Sequence, residues 1–258
     1  MAKRGPPLRV NLEDYGRLLR LTLAQPGKNI VDAAMIHALR GALADHQQQR
    51  DLTAVLIDAD GPNFSYGASV EEHLPDQCAA MLKNLHGLLL EMIAYPLPVL
   101  VAVRGHCLGG GLELACAGSF IYAAPDAHFA QPEIQLGVFA PAASCLLPER
   151  IGRARAEDML FSGRSMDAAA ALSAGLIAAI DENPEQAARR YAETYLLPHS
   201  TFALRHAVTA ARIDYLERIR KQLQGIEKHY LEQLMQGEDP KEGLQAFLAK
   251  RKPAWKNR

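Results

Sequence analysis

The residues with the clearest chemical potential lie in one segment, Val101-Ala102-Val103-Arg104-Gly105-His106-Cys107-Leu108-Gly109-Gly110-Gly111-Leu112-Glu113-Leu114-Ala115. An apolar run passes through three consecutive glycines into a stretch that reads as a helix. Glycine leaves backbone N–H groups uncovered by any side chain. The first N–H groups of a helix have no partner within it, and the helix dipole adds positive potential there. Such a turn suits an anion, or an oxygen that gains negative charge during a reaction. The same residues also fit a tight strand-to-helix turn that binds nothing. A nucleotide loop does not fit. Gly110-Gly111-Leu112 stands where a Walker loop has Gly-Lys-Ser/Thr, and the G-x-G-x-x-G spacing is not matched.

Glu113 follows the glycines directly. A carboxylate in a first helical turn complements the dipole, and its apolar neighbours Leu112, Leu114, Ala115 and Cys116 would also desolvate it. Desolvation raises a carboxyl pKa toward the range of a neutral-pH acid or base. A second glutamate, Glu133, stands twenty residues further on, in Ala130-Gln131-Pro132-Glu133-Ile134-Gln135-Leu136-Gly137. It reads either as a surface carboxylate or as the partner of Glu113 in a paired site. A third segment, Asn63-Phe64-Ser65-Tyr66-Gly67-Ala68-Ser69-Val70-Glu71-Glu72, follows an apolar run and could present another backbone N–H, or be an ordinary loop.

These segments need elements to hold them. Residues 8–24 alternate around Asp14-Tyr15-Gly16 and predict two short strands. Asp32 precedes Met35, Ile36, Leu39 and Leu43, an N-cap followed by a helical stripe. Residues 53–57 predict a buried strand. Residues 78–93 carry apolar side chains at helical spacing, closed by Pro96 and Pro98. Val99–Val103 is continuously apolar, as in a strand covered on both faces. A helix from about Gly111 and a strand over 120–123 follow, with 127–130 strand-like and 138–144 read as a loop. Strands alternating with helices indicate an α/β architecture. Beyond about 150 the pattern is helical, over 154–161, 167–174, 184–195 and 202–235, with only 176–180 extended.

Composition narrows the function. The chain has 258 residues, 49% hydrophobic and 22% charged, with a formal net charge of -1. Its length allows a substantial core, and its charge offers no general attraction for nucleic acid or anionic membranes. Cys78, Cys107, Cys116 and Cys145 form no C-x-x-C pair and read as buried, reduced side chains. The basic start at Lys3 and Arg4 lacks the apolar stretch of a signal peptide. The apolar region over 85–103 is broken by His86, Glu91, Pro96 and Pro98, which is unlike a membrane span. A cytoplasmic location is the expectation. His73, His86 and His106 are assigned no catalytic part.

Taken together, Phe64-Ser65-Tyr66-Gly67-Ala68-Ser69, the Gly105–Ala115 run and Ala130-Gln131-Pro132-Glu133-Ile134-Gln135-Leu136-Gly137 resemble the crotonase (enoyl-CoA hydratase/isomerase) superfamily. The resemblance extends through Glu149-Arg150-Ile151-Gly152-Arg153 and Ser162-Gly163-Arg164-Ser165-Met166-Asp167-Ala168 to Glu242-Gly243-Leu244-Gln245-Ala246-Phe247. It implies an α/β spiral of ββα units over residues 1–195 and a helical C-terminal trimerisation region over 196–258. It implies a homotrimer or dimer of trimers. The substrate would be a CoA thioester, with no cofactor beyond CoA itself, no metal, no nucleic acid and no membrane partner. The N–H groups of Ala68 and Gly110 would form an oxyanion hole for the thioester enolate. Glu113 and Glu133 match the two catalytic glutamates of the hydratases. The basic tail with Lys250, Arg251, Lys252 and Lys256 would meet CoA phosphates or be simply solvated.

Two departures stand out. Ser69 replaces the family's aspartate. Val138-Phe139-Ala140-Pro141-Ala142-Ala143-Ser144 replaces a P-G-A-G-G-type segment near the acyl pocket. These segments look most like the family branch that hydrates cyclohexa-1,5-diene-1-carbonyl-CoA, with Tyr66, Phe139 and Pro141 as pocket-lining residues. A straight-chain enoyl-CoA hydratase, an enoyl-CoA isomerase and a non-catalytic RNA-binding member remain the alternatives.

Overall fold

The computed structural model describes residues 5–258, so the start of the basic N-terminal segment, residues 1–4, lies outside the described residues. The chain opens with β1 (Leu8–Glu13) and β2 (Leu18–Leu23), antiparallel around the tight turn at Asp14–Gly16. The helix α1 (Ala33–His46) follows, with the Asp32 carboxylate accepting from the Met35 N–H at 2.9 Å as its cap. Next come β3 (Ala54–Ala59), α2 (Pro75–Ala94), β4 (Val99–Val103), β5 (His106–Leu108), α3 (Gly110–Ala117), β6 (Phe120–Ala123) and β7 (His128–Ala130). The rest is α4 (Pro141–Ile151), α5 (Arg153–Ser162), β8 (Met166–Asp167), α6 (Ala168–Ala174), β9 (Ala179–Ile180), α7 (Pro184–Tyr195), α8 (Thr201–Glu232) and α9 (Asp239–Leu248).

Six strands form one sheet in the order β1-β2-β3-β4-β6-β9, parallel from β2 onward. A smaller sheet, β5-β7-β8, carries the site. Both faces of the large sheet are covered, which is why β3 and β4 are apolar without alternation. Leu18, Ala54, Leu56, Leu100, Ala102 and Tyr122 pack under Ala187, Ala188 and Ala192 of α7. Leu19, Leu21, Val55, Ile57, Val99 and Val101 point the other way, toward α1 and α2. Burying each such side chain contributes about 1.5–3 kcal/mol. The four cysteines are buried and unbonded.

Two expectations need correction. Residues 138–144 are not one loop, because α4 begins at Pro141, where proline's fixed φ and missing N–H suit a first helical turn. Of 176–180, only Ala179–Ile180 pairs, with β6.

Helices α3 and α4 cap each other. Glu113, in the first turn of α3, accepts from the Ala143 N–H at the start of α4. Arg150, near the end of α4, donates to the Cys116 carbonyl at 2.7 Å and to the Ser119 carbonyl at 3.2 Å, at the end of α3. Each bond satisfies a helix terminus that otherwise lacks a partner. The catalytic candidate Glu113 is thereby tied into the core rather than displayed on it.

Candidate active site

Three segments cross where the small sheet begins. The Ser65 N–H donates to His106 O at 2.9 Å, and the Leu108 N–H donates back to Ser65 O at 3.0 Å. The Gly109 N–H donates to Ala130 O at 2.9 Å, and the Val31 N–H to Gly67 O at 2.9 Å. The Ser65 hydroxyl donates to Asn29 O and accepts from the Gly67 N–H. These bonds fix the Gly67-Ala68 and Gly109-Gly110 peptides against each other.

Gly109 has φ +49° and ψ −127°, a conformation that side-chain-bearing residues avoid. A Cβ there would lie 2.5 Å from Oε1 of Glu133. At Gly110 a Cβ would lie 3.0 Å from the Ala68 nitrogen. The two backbones therefore approach each other only because position 110 is glycine. Among the described residues, no backbone carbonyl accepts from the Ala68 or Gly110 N–H groups. Both face a cavity of about 610 Å³, and both glutamates line it. Two uncommitted donors beside two carboxylates can hold an oxygen that becomes anionic while protons move next to it.

The carboxylates have different surroundings. Glu113 is 3% exposed, and Oε1 accepts from the Ala143 N–H at 2.8 Å. Burial raises its carboxyl above the ordinary range, while the Ala143 amide, the charge at His86 and the Ala142 amide oppose that rise. Glu133 sits in a short 3-10 turn, Pro132–Leu136, and is half-buried. Loss of hydration in the cavity, and then the charge of Glu113, push it up to about 8, and its own backbone N–H opposes that rise.

Tyr66, Phe139 and Pro141 line the same cavity. Tyr66 stands near the mouth, with the Lys28 ammonium 5.9 Å from its ring centroid. Phe139 is wedged against α8, stacked on His229 at 5.7 Å and edge-on to Tyr230 at 5.1 Å. Of the basic tail, Arg251 reaches the cavity and pairs with Glu242 at 2.5 Å, whereas Lys256 pairs with Glu238. His73 lines the cavity, and the His106 ring lies 5.2 Å from that of Tyr66, tilted at 54° to it. The sequence reading missed the α9 contribution. A Cβ at Gly243 would lie 2.0 Å from Leu136 O, so this glycine lets α9 press on the turn that carries Glu133. The segment Glu242–Phe247 entered only as part of the family resemblance, with no role for Gly243 in the site. Among the described residues, no group of three or more His, Cys, Asp or Glu side chains could hold a metal ion, and no helix is long and apolar enough to cross a membrane.

Residues 13–258 match the family model described as "Enoyl-CoA hydratase/isomerase". The chain is 58% identical over 258 residues, the full length of both proteins, to cyclohexa-1,5-dienecarbonyl-CoA hydratase from Thauera aromatica. It is 33% identical to carnitinyl-CoA dehydratase from Salmonella typhi, covering 96% of this chain and 98% of that one. In structure it is similar to an enoyl-CoA hydratase/isomerase from Pseudoalteromonas atlantica T6c, with a TM-score of 0.83 at 27% identity, covering 96% of this chain and 99% of the other.

Proposed function

Since the chain belongs to the enoyl-CoA hydratase/isomerase family, we propose that it adds water to cyclohexa-1,5-diene-1-carbonyl-CoA. The observation that carries this substrate is the full-length 58% identity to a hydratase named for it, well above the 33% shared with carnitinyl-CoA dehydratase. The cavity supports the reading. Its wall is apolar, from Leu82, Leu85, Val138 and Phe139, as a carbocyclic ring requires.

In this mechanism the N–H groups of Ala68 and Gly110 hold the thioester oxygen. Glu113 and Glu133 hold a water, and Glu113 takes one of its protons as the oxygen bonds to the β-carbon. The electrons of the α,β double bond move onto the thioester oxygen, giving an enolate extended through the second ring double bond. Glu133 gives its proton to the far, vinylogous carbon of that enolate, and a conjugated enoyl thioester is restored. Glu113 then returns a proton to solvent and Glu133 regains one, so the net change is one water added. The division of labour follows the environments: Glu113 has amide donors that favour a carboxylate, and Glu133 keeps its proton near neutral pH. Each proton transfer is expected to be worth about 10²–10⁴-fold in rate.

CoA enters as the substrate's handle, near Lys28 and Arg251 at the cavity mouth. The helical region over 196–258 serves assembly into a trimer or dimer of trimers, since Phe202 and Ile213 of α8 and Phe247 of α9 are exposed apolar side chains. The decisive experiment is mass spectrometry after separate incubations with the cyclic dienoyl-CoA, cyclohex-1-ene-1-carbonyl-CoA and crotonyl-CoA. Gain of one water on the diene is the expected result. Efficient gain on crotonyl-CoA without any on the diene would refute the substrate assignment.

A further inference from the structure

The segment after α9 doubles back along that helix and is held by its first-turn carboxylates. Glu242 Oε1 accepts from the Ala254 N–H at 2.8 Å. Asp239 accepts from the Lys256 N–H at 2.7 Å and from the Asn257 N–H at 2.8 Å. The Glu238 N–H donates to Arg258 O at 2.8 Å. Acids in a first helical turn complement the dipole. Here they also fix the backbone on both sides of residue 255. That residue is Trp255, the single tryptophan of the chain.

Its indole lies where α9 meets the turn that carries Glu133. Cζ3 is 3.0 Å from where a Cβ would stand on Gly137, and Cη2 is 2.9 Å from where one would stand on Gly243. Gly137 closes the Pro132–Leu136 turn with φ +71°, and its N–H donates to Ile134 O at 3.1 Å. The Val138 N–H donates to Glu133 O at 3.3 Å, which ties the backbone of Glu133 to the residue after Gly137. Gln135, Val138 and Phe139 line both the reaction cavity and a second cavity of about 720 Å³, which Trp255 also lines. The turn is thus part of the wall between two cavities. Trp255 stays 43% exposed, so it is no core side chain, yet the edge of its six-membered ring is seated against both glycines.

We propose that Trp255, held in place by Asp239 and Glu242, is a positioning residue that braces the turn carrying Glu133. This inference rests on the reading of Glu133 as the proton donor of a hydratase. The test therefore includes a measurement that needs no turnover. Trp255→Ala removes the brace and changes no charge. Glu113 of α3, Asp158 of α5, Asp239 and Glu242 of α9, and Arg251 and Lys256 beyond α9 all remain. Loosening the turn admits water to Glu133, and restored hydration lowers a carboxyl midpoint. Carboxyl NMR of glutamate-labelled protein, with the Glu133 signal identified by its loss in Glu133→Gln, follows that midpoint directly. In Trp255→Ala it is expected to fall by about one pH unit from about 8, a roughly tenfold drop in the ratio of protonated to ionised form. The basic limb of kcat/KM should move with it, and kcat should fall about tenfold while KM changes less than about threefold. An unchanged or raised midpoint overturns the proposal whatever the melting temperature does, because a side chain that only stabilised the fold would lower that temperature alone.

Trp255→Phe is the second and milder variant. It keeps a ring on the same backbone anchors but lacks the Cζ3–Cη2 edge that meets the two glycines. Its midpoint is expected between those of the unaltered protein and of Trp255→Ala. A midpoint equal to that of the unaltered protein counts against the brace, which keeps the test open even where the alanine variant fails to fold. A midpoint at or below that of the alanine variant would place the effect in the backbone anchors and overturn the role of the indole. Absence of turnover by the unaltered protein would refute the functional reading, and the NMR midpoint would still decide the role of Trp255.

Discussion

Glu133→Gln is the sharpest single perturbation of this site. The amide has the size of the protonated carboxyl but cannot release a proton. With a carboxyl pushed up to about 8, roughly nine-tenths of Glu133 holds its proton at pH 7, and only about a tenth at pH 9. The unaltered enzyme should therefore show a basic limb in kcat/KM, with about a tenfold fall between those pH values. Glu133→Gln should lose about 10²–10⁴-fold in kcat and bind the thioester with little change. Stability moves the other way. A carboxyl raised from 4.5 toward 8 on folding stabilises the native state fully below pH 4.5, and that contribution fades as pH rises toward 8. The full slope would be about 1.4 kcal/mol per pH unit, and partial access of water to Glu133 reduces it. Glu133→Gln should thus match the unaltered protein in acid and surpass it above pH 8. Thermal unfolding at pH 5, 7 and 9, beside a kcat/KM profile over the same range, measures both effects. A flat activity profile through pH 9, or a variant that is no more stable at pH 9 than at pH 5 relative to the parent, would refute the account of Glu133 as a proton-holding acid.

Other perturbations separate the parts of the site. Glu113→Gln should cost about 10²-fold or more in kcat while leaving KM near its original value, and stopped-flow hydration of the cyclic dienoyl thioester would show it. Since Gln keeps an oxygen for the Ala143 N–H, the melting temperature should hardly move. Gly109→Ala puts a methyl 2.5 Å from Oε1 of Glu133, in a sparsely populated backbone conformation that costs alanine about 1–3 kcal/mol. It should lower kcat by about 10²-fold through displacement of that carboxylate, and a variant with more than half the original kcat would contradict the geometry. Gly243→Ala drives a Cβ into the Leu136 carbonyl, on the turn that carries Glu133. It should reduce both melting temperature and kcat, although residue 243 is 110 positions from Glu133 in sequence.

Much of this site could be read in advance because its key constraints are local. Glycines at 109 and 110 are needed where one peptide passes another, and a buried strand running into glycines states that need within a few residues. The Asp32 cap, the prolines that close α2 and the uninterrupted apolar run of β4 are equally local. What escaped was set by contacts distant in sequence. The helix α4 was missed because Ala140 is a poor N-cap residue, leaving Pro141 as the one local signal. The partner that satisfies its first turn is Glu113, thirty residues earlier.

That missed helix changes how the two glutamates should be understood. Read along the chain, Glu113 stands in a first helical turn and Glu133 in a loop, but nothing there says which of the two would be held as a carboxylate. In the fold, α4 gives its N-terminal amides to Glu113 alone, while Glu133 receives the repulsion of Glu113 and a thinned hydration shell. The proposed base is served by an environment that favours its carboxylate, and the proposed acid by one that favours its protonated form. A helix N-terminus directed at one of two carboxylates favours that separation, and the reciprocal bond from Arg150 to the end of α3 keeps it aimed. The segment that departs most from the family pattern, residues 138–144, is therefore also the one that sets this asymmetry. Changes to the shape of the acyl pocket at Phe139 and changes to the ionisation of Glu113 at Ala143 are physically coupled, because both residues ride on the entry to the same helix.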